Sequence, residues 1–135
     1  MSQENVELGQ RAIDALNRRD LDVLLAILDD DVEAAPGGTP GPVTMEGSYH
    51  GHAGFRRWWE GLFEGFSDFT TEVVEVRDID DLTLGVLRNR AHGAASGALI
   101  EQRLWLVSKW RNRKVIWLQA FRSEAEALKA VGLEE

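Results

Sequence analysis

The stretch "ALIEQRLWLVSKWRNRKVIWLQAFR" (residues 98–122) decides how the chain is read. Apolar residues recur with period two on both sides of Asn112-Arg113, which predicts two long strands joined by a two-residue hairpin turn. If Arg111 faces Lys114, one face carries Leu104, Leu106, Ser108, Trp110, Val115, Trp117, Gln119 and Phe121. The other carries Arg103, Trp105, Val107, Lys109, Ile116, Leu118 and Ala120. A half-exposed sheet alternates apolar with polar, yet both of these faces are substantially apolar. Helices cover only one of them. The other is expected to meet a second copy, giving a homodimer through the sheet face that buries Trp105 or Trp117.

Working outward, "FTTEVVEVRD" (69–78) and "LTLGVLRNRAH" (82–92) read as two further strands, separated by Asp80-Asp81 and followed by the break "GAASG". Ser123 and Glu126 form a capping box for a last short helix that Gly132 stops. Before the strands, Val6, Ile13 and Leu16 recur at helical spacing behind Ser2, a capping residue. Asp20 then caps a second helix through Leu21, Leu24, Leu25 and Leu28. A short strand is predicted at Val32–Ala35, followed by an exposed loop holding Pro36, Pro40 and Pro42. In "YHGHAGFRRWWEGLF" (49–63) and just beyond it, Phe55, Trp58, Trp59, Leu62 and Phe66 form one stripe of a third helix, with Trp59 at its centre and Trp58 at its margin. Helices, a strand, a helix and then a meander of four long strands indicate one α+β domain over residues 1–135. Its expected architecture is a curved antiparallel sheet with helices packed in the concavity.

Composition narrows the function. The chain has no cysteine, which excludes disulfides, thiolate ligands and cysteine nucleophiles. Its formal net charge of -8 argues against a duplex-binding protein, whose affinity comes from phosphate neutralisation. The apolar run "VLLAIL" is too short to span a bilayer. "MSQENVELGQ" lacks the basic and apolar regions of a signal peptide, so a cytoplasmic location is expected, with no nucleic-acid or membrane partner.

The segments "RAIDALNRRDLDVLLAILDDDVE" (11–33), "YHGHAGFRRWWEGL" (49–62) and "SGALIEQRLWLVSKWRNRKVIWLQAFRSEAEALKAVGL" (96–133) resemble the SnoaL-like branch of the NTF2-like superfamily. These are cone-shaped α+β folds that include ketosteroid isomerases and limonene epoxide hydrolases. The resemblance implies a cavity, while the superfamily's chemistries are too varied for it to imply a reaction. The isomerases' oxyanion-binding tyrosine falls on Ala12 and their general-base aspartate on Ala34. Their second oxyanion donor falls on Leu106 or Trp105. One catalytic aspartate of the epoxide hydrolases matches Ala120, and their arginine-aspartate pair would fall within 87–91, where Asn89 and its flanking arginines are the polar residues. No recognised catalytic set is therefore present.

Ala12, Ala34, Trp59, Leu118, Ala120 and Phe121 are the expected lining of a mainly apolar pocket for a small apolar molecule. Glu33, Tyr49 and His92 are the candidates for catalysis: a displaced base, a phenolic donor, and a strand-end imidazole with a pKa near neutrality. Each has a plainer reading, as a surface or packing residue. His50 and His52 form an His-x-His pair, but a catalytic metal site needs a third ligand at suitable spacing. Glu33, Glu46 and His92 offer none, so neither metal nor cofactor is expected. Three functions stay open: a binding module, a cofactor-independent isomerase, cyclase or hydrolase acting on a hydrophobic polyketide-, steroid- or terpenoid-like substrate, and a structural dimerisation domain with a filled cone.

Overall fold

A computed structural model describes residues 2–35, 49–93 and 95–132. The predicted proline-containing loop and Glu46 lie outside the described residues. The first helix, α1 (Ser2–Arg18), stops where Arg19 takes φ 65, and Asp20 caps α2 (Leu21–Ile27) by accepting from the Val23 N–H at 3.3 Å. Leu28 does not continue that helix as expected. It opens β1 (Leu28–Ala35), whose alternation buries Val32 and Ala34 and turns Glu33 outward. After β2 (Tyr49–His50), α3 (Gly51–Gly65) begins at Gly51, where φ is +68 and a Cβ would lie 3.1 Å from the Asp30 carbonyl. Only glycine fits that entry without strain.

The long strands follow as β3 (Thr70–Ile79), β4 (Leu82–His92), β5 (Leu99–Arg111) and β6 (Lys114–Phe121), and α4 (Glu124–Ala130) closes the chain. They form one six-stranded sheet in the order β2-β1-β6-β5-β4-β3. The expected all-antiparallel sheet has one exception, because β1 runs parallel to β6, with Glu33 beside Trp117 and Ala34 beside Leu118. Among the described residues no helix is long and apolar enough to cross a membrane.

The hairpin turn is as predicted. Asn112 and Arg113 have φ 52 and 66, the type I′ signature, and Arg111 faces Lys114. The strict alternation assumed beyond it fails. A bulge follows the Trp110–Val115 pair, so that Lys109 meets Trp117 and Ser108 meets Leu118. One extra residue on β6 reverses which face each later side chain occupies. Leu118 and Ala120 thus turn to the concave side with Leu104, Leu106 and Ser108. Trp117 and Phe121 join Trp105 and Val107 on the convex side, where they pack with Ala127 and Leu128 of α4. The two tryptophans expected on opposite faces share one, and a helix of the same chain covers part of it.

On the concave side α1, α2 and α3 enclose the main core. Asn17 fixes α1 to the edge strand: its side chain donates to the Thr71 carbonyl at 2.8 Å and accepts from the Thr71 N–H at 2.9 Å. At the α1–α2 corner, the Arg19 guanidinium lies 3.9 Å over the Phe63 ring and donates to the Ser67 carbonyl. The α3 stripe is rotated from the expected phase. Phe55, Trp58 and Leu62 are buried, whereas Trp59 is half-buried and meets Phe63 edge-on. Trp58, not Trp59, is the tryptophan at the centre.

Candidate functional site

Between the helices and the concave face lies a cavity of about 150 Å³. Its floor is built by alternate residues of the strands: Thr71, Val73 and Val76 from β3, then Thr83, Gly85, Leu87 and Asn89 from β4. Leu104, Leu106, Ser108 and Trp110 come from β5, and Val115, Leu118 and Ala120 from β6. Its roof comes from α1 (Asn5, Val6, Gly9, Gln10, Ala12, Ile13, Leu16), with Leu24, Phe55 and Trp58 from α2 and α3. None of the described residues lining it is ionisable.

Some buried polar groups of the lining are satisfied by the protein and others are not. Trp110 donates its indole N–H to the Thr83 hydroxyl at 3.0 Å, so that pair is satisfied within the wall. Trp58 Nε1, Thr71 Oγ1 and Asn89 Oδ1 are buried without a hydrogen-bond partner. Thr71 and Asn89 are direct neighbours across β3 and β4, and Gln102, whose Oε1 is likewise buried and unpartnered, follows Asn89 across β4 and β5. Cross-strand neighbours share a face, so these three form one polar row at one end of a largely apolar floor. The sequence reading missed Thr71 and gave Trp58 a marginal place. The available signal was a polar residue at an inner position on each of three successive strands.

Of the expected pocket residues, Ala12, Leu118 and Ala120 line the cavity. Ala34 is buried in the neighbouring core, Trp59 packs on Phe63, and Phe121 lies on the convex face because of the β6 bulge. Of the positions matched to the isomerases' polar catalytic groups, Ala12 faces the cavity, and of the two alternatives for the second donor Leu106 faces it and Trp105 does not; both that face it supply only alkyl surface.

The three residues considered for catalysis are not brought together at the cavity wall. Glu33 points outward and meets His50 Nδ1 at 2.9 Å on the surface. That hydrogen bond and the Glu33 charge, with a smaller contribution from Asp31, raise the His50 pKa above its ordinary value. His92 lies half-exposed at the end of β4, where its ring meets Asp68 Oδ2 at 2.6 Å and its backbone N–H donates to Asp68 Oδ1 at 2.8 Å. Those two bonds hold the Asp68 carboxyl below the usual carboxylate range. Tyr49 packs, half-buried, against the main core beside Gly54. His52 donates to the Leu28 carbonyl at 2.9 Å, so the two histidines of the His-x-His pair turn to different partners on β1. Among the described residues, no three metal-ligating side chains gather at one place.

The family profile described as a SnoaL-like domain matches residues 10–116. Similar solved structures include an NTF2-like protein of unknown function from Burkholderia pseudomallei, with TM-score 0.80, 19% identity, and coverage of 95% of this chain and 97% of that one. TerC, co-crystallised with polyporic acid, has TM-score 0.80 and 15% identity over 96% and 98% of the two chains. AclR, described as a putative hydroxylase from Streptomyces galilaeus, has TM-score 0.72 and 16% identity over 98% of both. A search of curated proteins returned no match. At these identities the structural likeness speaks for the fold.

Proposed function

Because the chain belongs to the SnoaL-like domain family, within the NTF2-like superfamily, we propose that it binds a small, neutral, mainly apolar molecule in its concave cavity without acting on it by acid–base chemistry. The observation that carries this reading is the lining itself, whose described residues include no carboxylate, imidazole, phenol or ammonium group. Abstraction of a proton beside a carbonyl, or activation of water, needs a base within hydrogen-bond reach of the reacting atom. An uncompensated charge would also be costly to bury there. TerC with its polyporic acid is an instance of the same fold holding a small organic molecule.

The likeness to AclR, described as a putative hydroxylase, supports an enzyme only in general terms, and the second reading is a cofactor-independent isomerase, cyclase or hydrolase for a polyketide-, steroid- or terpenoid-like substrate. It requires Tyr49, His92 or Glu33 to reach a substrate that extends out of the cavity. A thermal-shift and tryptophan-fluorescence screen separates the readings. Stabilisation by neutral apolar compounds that are recovered unchanged supports the binding module. Turnover abolished by Tyr49→Phe, His92→Ala or Glu33→Gln supports the enzyme. Stabilisation confined to sugars, nucleotides or other charged compounds refutes both.

The working unit proposed is a homodimer through the convex face. Support comes from Trp105, Trp117 and Phe121, which α4 covers incompletely, and from Val74 and Leu99, which are about half exposed. Light scattering at micromolar concentration checks this, with Trp105→Glu expected to release monomers. A monomeric wild-type protein rules the dimer out.

A further inference from the structure

The proposed binding function rests on apolar walls. The unpartnered polar groups in the same cavity say what else the ligand must carry. Trp58, Thr71 and Asn89 are each more than nine-tenths buried, and each places a polar atom without a partner in or beside the lining. Leaving a buried polar group unmatched is costly, so three of them lining or adjoining one cavity point to a ligand that matches them. Toward the other end of β4, by contrast, the Trp110 indole N–H is satisfied within the wall by the Thr83 hydroxyl.

The chemistry of the three groups is complementary. Trp58 Nε1–H only donates, Asn89 Oδ1 only accepts, and the Thr71 hydroxyl does either. Thr71 and Asn89 are cross-strand neighbours, so a ligand group that meets both must accept and donate at one position. A hydroxyl does both, whereas a ketone or ether oxygen leaves Asn89 unmatched. Carboxylates and ammonium groups are disfavoured, because no described lining side chain bears an opposite charge. Size suits one ring: an enclosed apolar cavity of about 150 Å³ accepts one benzene, and this partly open one has about 150 Å³.

We infer that the cavity selects single-ring hydroxyl compounds, a phenol or a cyclic alcohol, with the hydroxyl seated among Trp58, Thr71 and Asn89 and the ring against the leucine-rich floor.

The test is calorimetric titration at neutral pH with phenol, cyclohexanol, toluene, benzoate and benzylammonium. It is accompanied by ¹H–¹⁵N spectra of the indole N–H groups, assigned with Trp58→Phe. Phenol and cyclohexanol should bind at least about tenfold more tightly than toluene, the equivalent of one net hydrogen bond. The two ions should not bind, and the Trp58 indole resonance should move with phenol far more than with toluene. Thr71→Val, which keeps the shape of the side chain, should erase most of the preference while leaving toluene affinity in place. Equal binding of phenol and toluene, or a static Trp58 resonance under saturating phenol, overturns the hydroxyl pole and leaves the apolar-cavity reading standing. Preference for either ion overturns both. No binding by any of the five, while larger neutral apolar compounds bind, overturns the single-ring assignment alone.

Discussion

Gly85 is the most direct handle on the cavity. It lies in the middle of β4, lines the cavity, and has no positive φ that would require glycine. A Cβ built there meets its nearest neighbours, the Leu106 carbonyl oxygen and Leu87 Cδ2, at 3.9 Å, which is ordinary contact. Gly85→Ala should therefore stabilise the protein for two separate reasons. Glycine within a strand costs roughly 0.5–1 kcal/mol relative to alanine, chiefly through the freedom it loses on folding. The added methyl is buried against apolar walls, which contributes roughly 0.8 kcal/mol. Together these predict about 1–2 kcal/mol, or a rise in Tm of about 3–8 °C for a chain of this size. The same methyl takes volume from the ligand, so saturating ligand should raise the Tm of Gly85→Ala less than that of wild type, and the two should converge. Differential scanning calorimetry with and without the best compound from the screen measures both effects. A fall in Tm for the ligand-free variant would refute the reasoning, because it would mean that Gly85 faces packed atoms rather than usable space.

Other perturbations probe the frame around the cavity. Arg113→Gly should relieve roughly 1 kcal/mol of left-handed backbone cost at the type I′ turn, offset in part by loss of the exposed Arg113–Glu4 ion pair at 3.1 Å. A net Tm change between zero and a few degrees upward is expected, and a clear decrease counts against the turn's role. Asn17→Ala should cost about 2–4 kcal/mol in chemical denaturation, since the backbone N–H and carbonyl of Thr71 both lose their partner; a loss below about 0.5 kcal/mol would show that water replaces the amide freely. For His50, the folded pKa is raised, so its contribution to stability is complete below the ordinary value of 6.5 and disappears as pH rises through the folded value. An NMR titration should place its midpoint above 6.5 and move it down in Glu33→Gln. A midpoint unaffected by that substitution removes Glu33 as the cause.

Much of the architecture was legible because each element carries its own local signal. Asp20 and Ser123 cap the helices they were expected to cap, and Asn112-Arg113 turns where two period-two segments meet. What escaped was phase. The β6 bulge beside Trp110–Val115 moved Leu118 and Ala120 inward and Phe121 outward, and a bulge between Val73 and Glu75 sets Thr71, rather than Glu72, opposite Asn89. A bulge leaves composition and alternation almost unchanged over a short window, yet it reassigns every side chain beyond it. The polar row Thr71–Asn89–Gln102 depends on register across three strands, so no single strand reveals it. The exchange of Trp58 for Trp59 is a smaller rotation of the same sort, set by how α3 docks rather than by its own spacing. Glu33, Tyr49 and His92 drew attention as reactive residue types, and type alone carries no information about which side of the wall a group occupies.

The parallel pairing of β1 with β6 has a consequence for how the molecule comes into being. β1 emerges from the ribosome early, yet apart from the two-residue β2 its sheet neighbour is the last strand to be made. Until Lys114–Phe121 is available, β1 lacks its main ladder partner and presents an unpaired edge to other nascent chains. Closing so long a loop also places this contact late and makes it slow relative to the β4–β5 hairpin. The N-terminal helices therefore wait, with their apolar faces uncovered, for a completed chain. Stop codons or proteolytic cuts before Lys114 should yield aggregates rather than a smaller folded core.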